Sequence, residues 1–85
     1  MPRITYFFGI VVYMYYDDHN PPHFHASYEG LEAEFDLDGN LLKGYLSKRA
    51  QRLIKEWCGL HGSEIREDWE LAQQDKPLNW IEPLK

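Results

Sequence analysis

His23–Asp36 reads HFHASYEGLEAEFD, two alternating runs joined by a single Glu29-Gly30 pair. In the first run Phe24, Ala26 and Tyr28 fall on one side and His23, His25 and Ser27 on the other. In the second, Leu31, Ala33 and Phe35 alternate with Glu32, Glu34 and Asp36, and Leu37 and Asp38 extend the pattern. Period-two alternation is the mark of a strand with one buried face. A two-residue link ending in glycine suits a hairpin turn, because Gly30 accepts the positive φ such turns require. Pairing about that turn sets Tyr28 against Leu31, Ala26 against Ala33 and Phe24 against Phe35 on the inner face. The outer face then pairs Ser27 with Glu32, His25 with Glu34 and His23 with Asp36. A slip of one residue would bury every charge, so the two faces specify one register.

Working outward, a second turn at Gly39-Asn40 leads into Leu41–Leu46. Pairing about it puts Leu42 near Leu37, Lys43 beside Asp36 and Tyr45 beside Glu34, unless Asp38-Gly39 makes the turn and shifts the register. Upstream, Ile10–Tyr16 (IVVYMYY) is a β-branched and aromatic run that suits a central strand. Pro21 and Pro22 interrupt regular structure between it and the hairpin. From Ser47, a good N-cap, the period changes: Leu46, Ala50, Leu53, Ile54, Trp57, Cys58 and His61 recur at three- and four-residue steps, predicting an amphipathic helix. Gly59 and Gly62 weaken its end, and Ser63 can cap a second helix to about Gln74, with Ile65, Trp69 and Ala72 inward. Pro77 closes it. The tail carries Leu78, Trp80, Ile81 and Leu84, apolar side chains that call for a surface to dock on.

The expected fold is α+β: a small antiparallel sheet of three to four strands followed by two helices packed on its apolar face. The 85 residues suit a single domain, 1–85, made of a β-rich part (1–46), a helical part (47–75) and a docking tail (76–85). Six Tyr, four Phe and three Trp supply large side chains for a compact core. The single cysteine, Cys58, excludes an intrachain disulfide and suggests a reducing, cytoplasmic setting. The apolar run from Tyr6 to Tyr16 is too short to span a bilayer. A formal net charge of −5 argues against a whole-surface nucleic-acid footprint. Four of the nine basic residues, Lys48, Arg49, Arg52 and Lys55, nevertheless crowd the start of the first helix. They suit phosphates, an acidic partner or surface ion pairs.

With helices on the inner face, the outer face presents two rows, His23–Asp36–Lys43 and His25–Glu34–Tyr45. A carboxylate orients an imidazole and favours its charged form, and Lys or Tyr can stabilise developing negative charge. The six residues therefore form a candidate catalytic set for acid–base phosphodiester cleavage. The plainer reading is a set of cross-strand pairs of small energetic value. Alternate histidines on a strand also project to one side, so His23 and His25, with His19 or Asp17 from the turn, could hold a divalent metal. Cys58 and His61 lie on the apolar side of the helix and read as packing residues. A third reading is a non-enzymatic interaction module using Tyr13, Tyr15 and the tail around Trp80. No phosphate-binding glycine loop, nucleophile elbow or paired-cysteine zinc motif is present.

The stretches FFGIVVYMYYDDHNPPHFHASYEG and KPLNWIEPL, with the Trp57 and Trp69 helices between them, resemble the bacterial family known as domain of unknown function 4160 (DUF4160). DDHNPPHFHASY and the WIEPL tail are the most specific pieces, while Ser47 stands where proline is expected. The resemblance implies a small cytoplasmic protein of a family often encoded beside a partner of the DUF2442 type, in gene pairs resembling toxin–antitoxin modules. This chain would then be the toxin-like member, and the His/carboxylate face described above makes RNA the candidate substrate. No catalytic residues carry over from the family.

Overall fold

A computed structural model describes residues 2–85. Five strands, β1 (Arg3–Phe7), β2 (Ile10–Tyr13), β3 (His23–Tyr28), β4 (Leu31–Asp36) and β5 (Leu41–Gly44), form one antiparallel sheet in the order β1-β2-β3-β4-β5. One helix, α1 (Lys48–Gln73), follows. The architecture is α+β, with two departures from the sequence expectation. The sheet has five strands where three to four were expected, and the two expected helices are one helix kinked at His61, whose φ/ψ of −127°/27° is the only non-helical pair inside it.

The additional strand arises because the run through Tyr16 conceals a turn. Phe8 and Gly9, both at positive φ (49° and 83°), reverse the chain between Phe7 and Ile10. Glu29 and Gly30 do the same between β3 and β4, at 51° and 81°. Two consecutive positive φ values match the right-handed twist of a tight hairpin. The β3–β4 register is the one both faces specify, from His23 opposite Asp36 to Tyr28 opposite Leu31. The β4–β5 register differs from the pairing about Gly39-Asn40: Lys43 lies opposite Glu34, not Asp36, and Tyr45 falls beyond the strand. The cause is local. Asp36 caps the turn, its carboxylate accepting from the Asp38 and Asn40 backbone N–H groups and the Asn40 side chain, and a bulge follows between Glu34 and Phe35.

The core lies between the sheet and α1. Ile4, Ile10, Val12, Phe24, Ala26 and Phe35 from the sheet meet Leu46, Ala50, Ile54, Trp57, Ile65 and Trp69. Trp57 is fully buried, with Phe7 and Phe24 rings each 5.8 Å away. Ser47 caps α1 as expected, its hydroxyl accepting from the Ala50 N–H. The tail docks through Ile81 and Leu84, both buried. Its backbone is fastened as well: the Ile81 N–H donates to the Ile4 carbonyl, and Trp57 Nε1–H donates to the Glu82 carbonyl. Trp80 stays 60% exposed. Among the described residues no helix is long and apolar enough to cross a membrane.

Candidate functional site

The β2–β3 loop determines the site. The carbonyls of a helix's last turn lack intrahelical partners, and the Asp17 N–H donates to one of them, that of Ala72. Gln73 Nε2 donates to the Asp18 carbonyl at 3.1 Å. These two bonds pin the loop to the C-terminal end of α1. The chain then turns through Asn20, Pro21 and Pro22, with the Asn20–Pro21 peptide cis, and enters β3 at His23. Asp18 is thereby folded back over the two histidines of the strand.

Three donor atoms converge as a result. Asp18 Oδ2 lies 2.9 Å from His23 Nε2 and 3.3 Å from His25 Nε2, and all three atoms are within 4.8 Å of one another. His23 is only 2% exposed, covered by the Trp69 ring at 5.5 Å and the His19 ring at 5.3 Å. This corrects the expectation that both imidazoles stand in solvent: strand parity puts His23 on the outer face, but the loop and Trp69 cover it. His25 is partly covered, stacked on Tyr13 at 5.4 Å with Tyr15 edge-on at 4.7 Å. Tyr13, expected as an outward docking residue, is buried at 1% exposure, whereas Tyr15 remains open. Burial, and then the neighbouring Glu32 carboxylate, push the Tyr13 phenol up to about 12, so it stays protonated as a wall for His25.

Proton positions follow from the partners. His23 Nδ1 lies 2.8 Å from the Pro21 carbonyl oxygen, which can only accept, so Nδ1 carries the hydrogen. In the neutral ring, Nε2 is then a bare lone pair. That buried Nε2 has no hydrogen-bond partner: although 2.9 Å from Asp18 Oδ2, the pair lacks hydrogen-bond alignment. Burial raises the Asp18 pKa, but hydrogen bonds, first from the His25 side chain and then from the His19 N–H, oppose it, and the carboxyl lies below its usual range. Asp18 is therefore a carboxylate at neutral pH.

The other sequence candidates divide. Glu34 belongs with the cluster, its Oε1 3.8 Å from His23 Nε2. Lys43 stands across from Glu34, completing an outer-face row Tyr13–His25–Glu34–Lys43. A shallow concavity of about 190 Å³ lies there, lined by His25, Glu32, Ala33, Glu34, Lys43 and Gly44. Asp36 is occupied in its turn, and Tyr45 is exposed beyond β5. His19, one of the three expected metal ligands, sends its Nδ1 to the other Asp18 oxygen at 3.0 Å with its side chain 81% exposed, so it flanks the cluster without entering it. Asp18 is the residue that sequence reasoning missed, its third ligand being His19 or Asp17. The available signal was the position of Asp18 just before a double proline that must reverse the chain onto the His-x-His strand.

Comparison with known proteins shows the family. The chain belongs to the family described as domain of unknown function (DUF4160), whose model matches residues 9–70, a span that contains the whole cluster. No curated protein and no solved structure matches the chain.

Proposed function

We propose that Asp18, His23 and His25 form a mononuclear site for a divalent first-row metal ion such as zinc. The observation that carries this reading is the buried Nε2 of His23: a lone pair facing a carboxylate, with the ring's hydrogen committed to Pro21 on the other side. Two acceptors held together, the histidine nitrogen buried and the carboxylate partly so, repel one another, and a cation between them removes the conflict. The two separations about Asp18 Oδ2 fit. Metal bonds of about 2.0–2.1 Å at tetrahedral or octahedral angles put neighbouring donors roughly 2.9–3.4 Å apart, and the separations from Asp18 Oδ2 are 2.9 and 3.3 Å. An Nδ1–H bonded to a backbone carbonyl is also the usual support of a metal-binding histidine. Two imidazoles and one carboxylate leave coordination positions for water, as in catalytic rather than structural sites.

The test is elemental analysis of protein purified without an affinity tag, followed by visible spectroscopy after loading with cobalt(II). One metal equivalent per chain and d–d bands that disappear in Asp18→Ala support the site. A metal-free protein with no cobalt spectrum rejects it in favour of a purely ionic His23–Asp18 pair.

A second, hydrolytic reading rests on Glu34 and Lys43. Glu34 stands next to the cluster with a partly exposed carboxylate, suited to take a proton from water, and Lys43 supplies a cation for an anionic substrate at the adjoining concavity. In that form a toxin-like role directed at RNA uses Glu34 and Lys43 beside a metal, not paired surface imidazoles. Cleavage of RNA that is abolished by chelator and by Glu34→Gln supports it; cleavage indifferent to both, or none, rejects it.

A further inference from the structure

The solvent face of α1 carries its charges against the helix dipole. A helix N-terminus favours acidic side chains and a C-terminus basic ones, yet the first turn of α1 has no acidic residue and the last turn no basic residue. Lys48, Arg49 and Arg52 stand exposed at the start, and Glu67 and Glu70 are exposed toward the end. Arg49, Arg52, Glu67 and Glu70 join no ion pair among the described residues. Arg49 and Arg52 lie on the solvent side of α1 before the kink at His61, and Glu67 and Glu70 lie on its solvent side after it, all four away from the buried Ala50, Trp57 and Ala72.

The four charges are placed symmetrically along the sequence. Arg49 and Arg52 lie as far before the Gly59–Leu60 pair as Glu70 and Glu67 lie after it. Leu60, at that centre, is the most exposed large apolar side chain among the described residues, at 66%. Gly59 beside it is in the helix interior, where glycine costs about 1 kcal/mol relative to alanine, and a Cβ added there would meet nothing within 4 Å. Gly59 and Gly62 flank the kink at His61. The open space at Gly59 also admits close approach of another helix, as small residues allow two helix backbones to come together.

We infer that the exposed face of α1 binds a second copy of this chain, the two helices antiparallel about a two-fold axis at Gly59–Leu60. In that arrangement the Arg49/Arg52 pair of each copy covers the Glu67/Glu70 pair of the other. Each Leu60 packs beside the opposing Gly59. Such an interface is isologous, so the one face supplies both halves of the complementarity. On the N-terminal side, where α1 is unbroken, the Arg pair lies roughly 11–16 Å from the axis at 1.5 Å rise per residue. The placement against the dipole thus has a reason: it makes one helix face complementary to its own antiparallel copy.

Sedimentation equilibrium of the full chain tests this with two charge-reversed variants, Arg49→Glu/Arg52→Glu and Glu67→Arg/Glu70→Arg. All four positions are exposed, and both reversals favour the helix dipole, so each variant folds at least as well as the parent chain; circular dichroism checks this. The parent is expected to be a dimer at low salt that dissociates at molar salt. Each variant alone is expected to be monomeric, because like charges then face each other at both ends. An equimolar mixture of the two is expected to recover the dimer, since every contact in the mixed pair is complementary. Gly59→Leu, which the single chain accommodates, should weaken the dimer while leaving the fold intact. A monomeric parent chain, variants that still dimerise, or a mixture that stays monomeric would each overturn the inference.

Discussion

Asp68 is fully buried on α1, and its carboxylate is only half satisfied. Oδ1 accepts the Asn79 N–H at 2.8 Å, holding the start of the tail, while Oδ2 has no partner. Burial pushes its pKa up to about 6, against the countering Asn79 bond and with help from Glu67 and Glu64. A carboxyl whose folded pKa is raised binds its proton more tightly in the native state. Its contribution is therefore fully present below the unfolded value of 3.8 and is lost as pH rises through about 6. At about 1.4 kcal/mol per pH unit, the interval amounts to about 3 kcal/mol. Asp68→Asn keeps the acceptor for Asn79 and removes the titration. Urea unfolding of both proteins at intervals from pH 4 to pH 7 should show the parent losing about 3 kcal/mol relative to the variant, mostly between pH 4 and 6. A difference that stays constant across the range would refute the reasoning and show that Asp68 is solvated or paired in the native protein.

Two further outcomes follow from the packing. Gly44, at φ 78°, would bring an added Cβ within 2.5 Å of the Glu32 carbonyl oxygen. Gly44→Ala should therefore cost more than the roughly 1–2 kcal/mol of the left-handed conformation alone, measured by the urea midpoint; an unchanged midpoint would mean that β5 is not paired there. Cys58 is buried, and burial pushes its thiol up to about 12, with Asp36 and Asp38 adding to the effect. A thiol reagent at neutral pH should leave the native protein unlabelled and titrate one thiol after denaturation; rapid labelling of folded protein would place Cys58 at the surface.

The part of the fold most legible in the sequence is β3–β4, where two faces carry independent patterns and only one register satisfies both. Less legible is β1–β2, because Phe7, Phe8 and Gly9 sit inside an apolar run and a phenylalanine at φ 49° is a turn residue with no turn signature. The helix period was plain, but local signals could not decide whether Gly59–Ser63 ends one helix or kinks it. In the end only His61 leaves helical geometry, and the core stripe continues through Ile65 and Trp69. At the site, the outward parity of His23 and His25 was readable, yet its consequence was not. Where Asp18 lies depends on bonds from Asp17 to Ala72 and from Gln73 to Asp18, contacts between parts of the chain more than fifty residues apart. The same long-range closure buries His23 and replaces two separate histidine–carboxylate pairs with one shared carboxylate.

The central claim is that the lone pair of His23 Nε2 and the Asp18 carboxylate await a cation. Calorimetric titration of zinc into metal-stripped protein tests it most directly, with Asp18→Asn, which retains the volume and removes the charge, as the control. The expected result is one binding site per chain, accompanied by a rise in unfolding temperature that grows with free zinc, about 2.7 kcal/mol of stabilisation at a hundred times the dissociation constant, and lost in Asp18→Asn. Equal, weak heats for both proteins with no thermal stabilisation would contradict it.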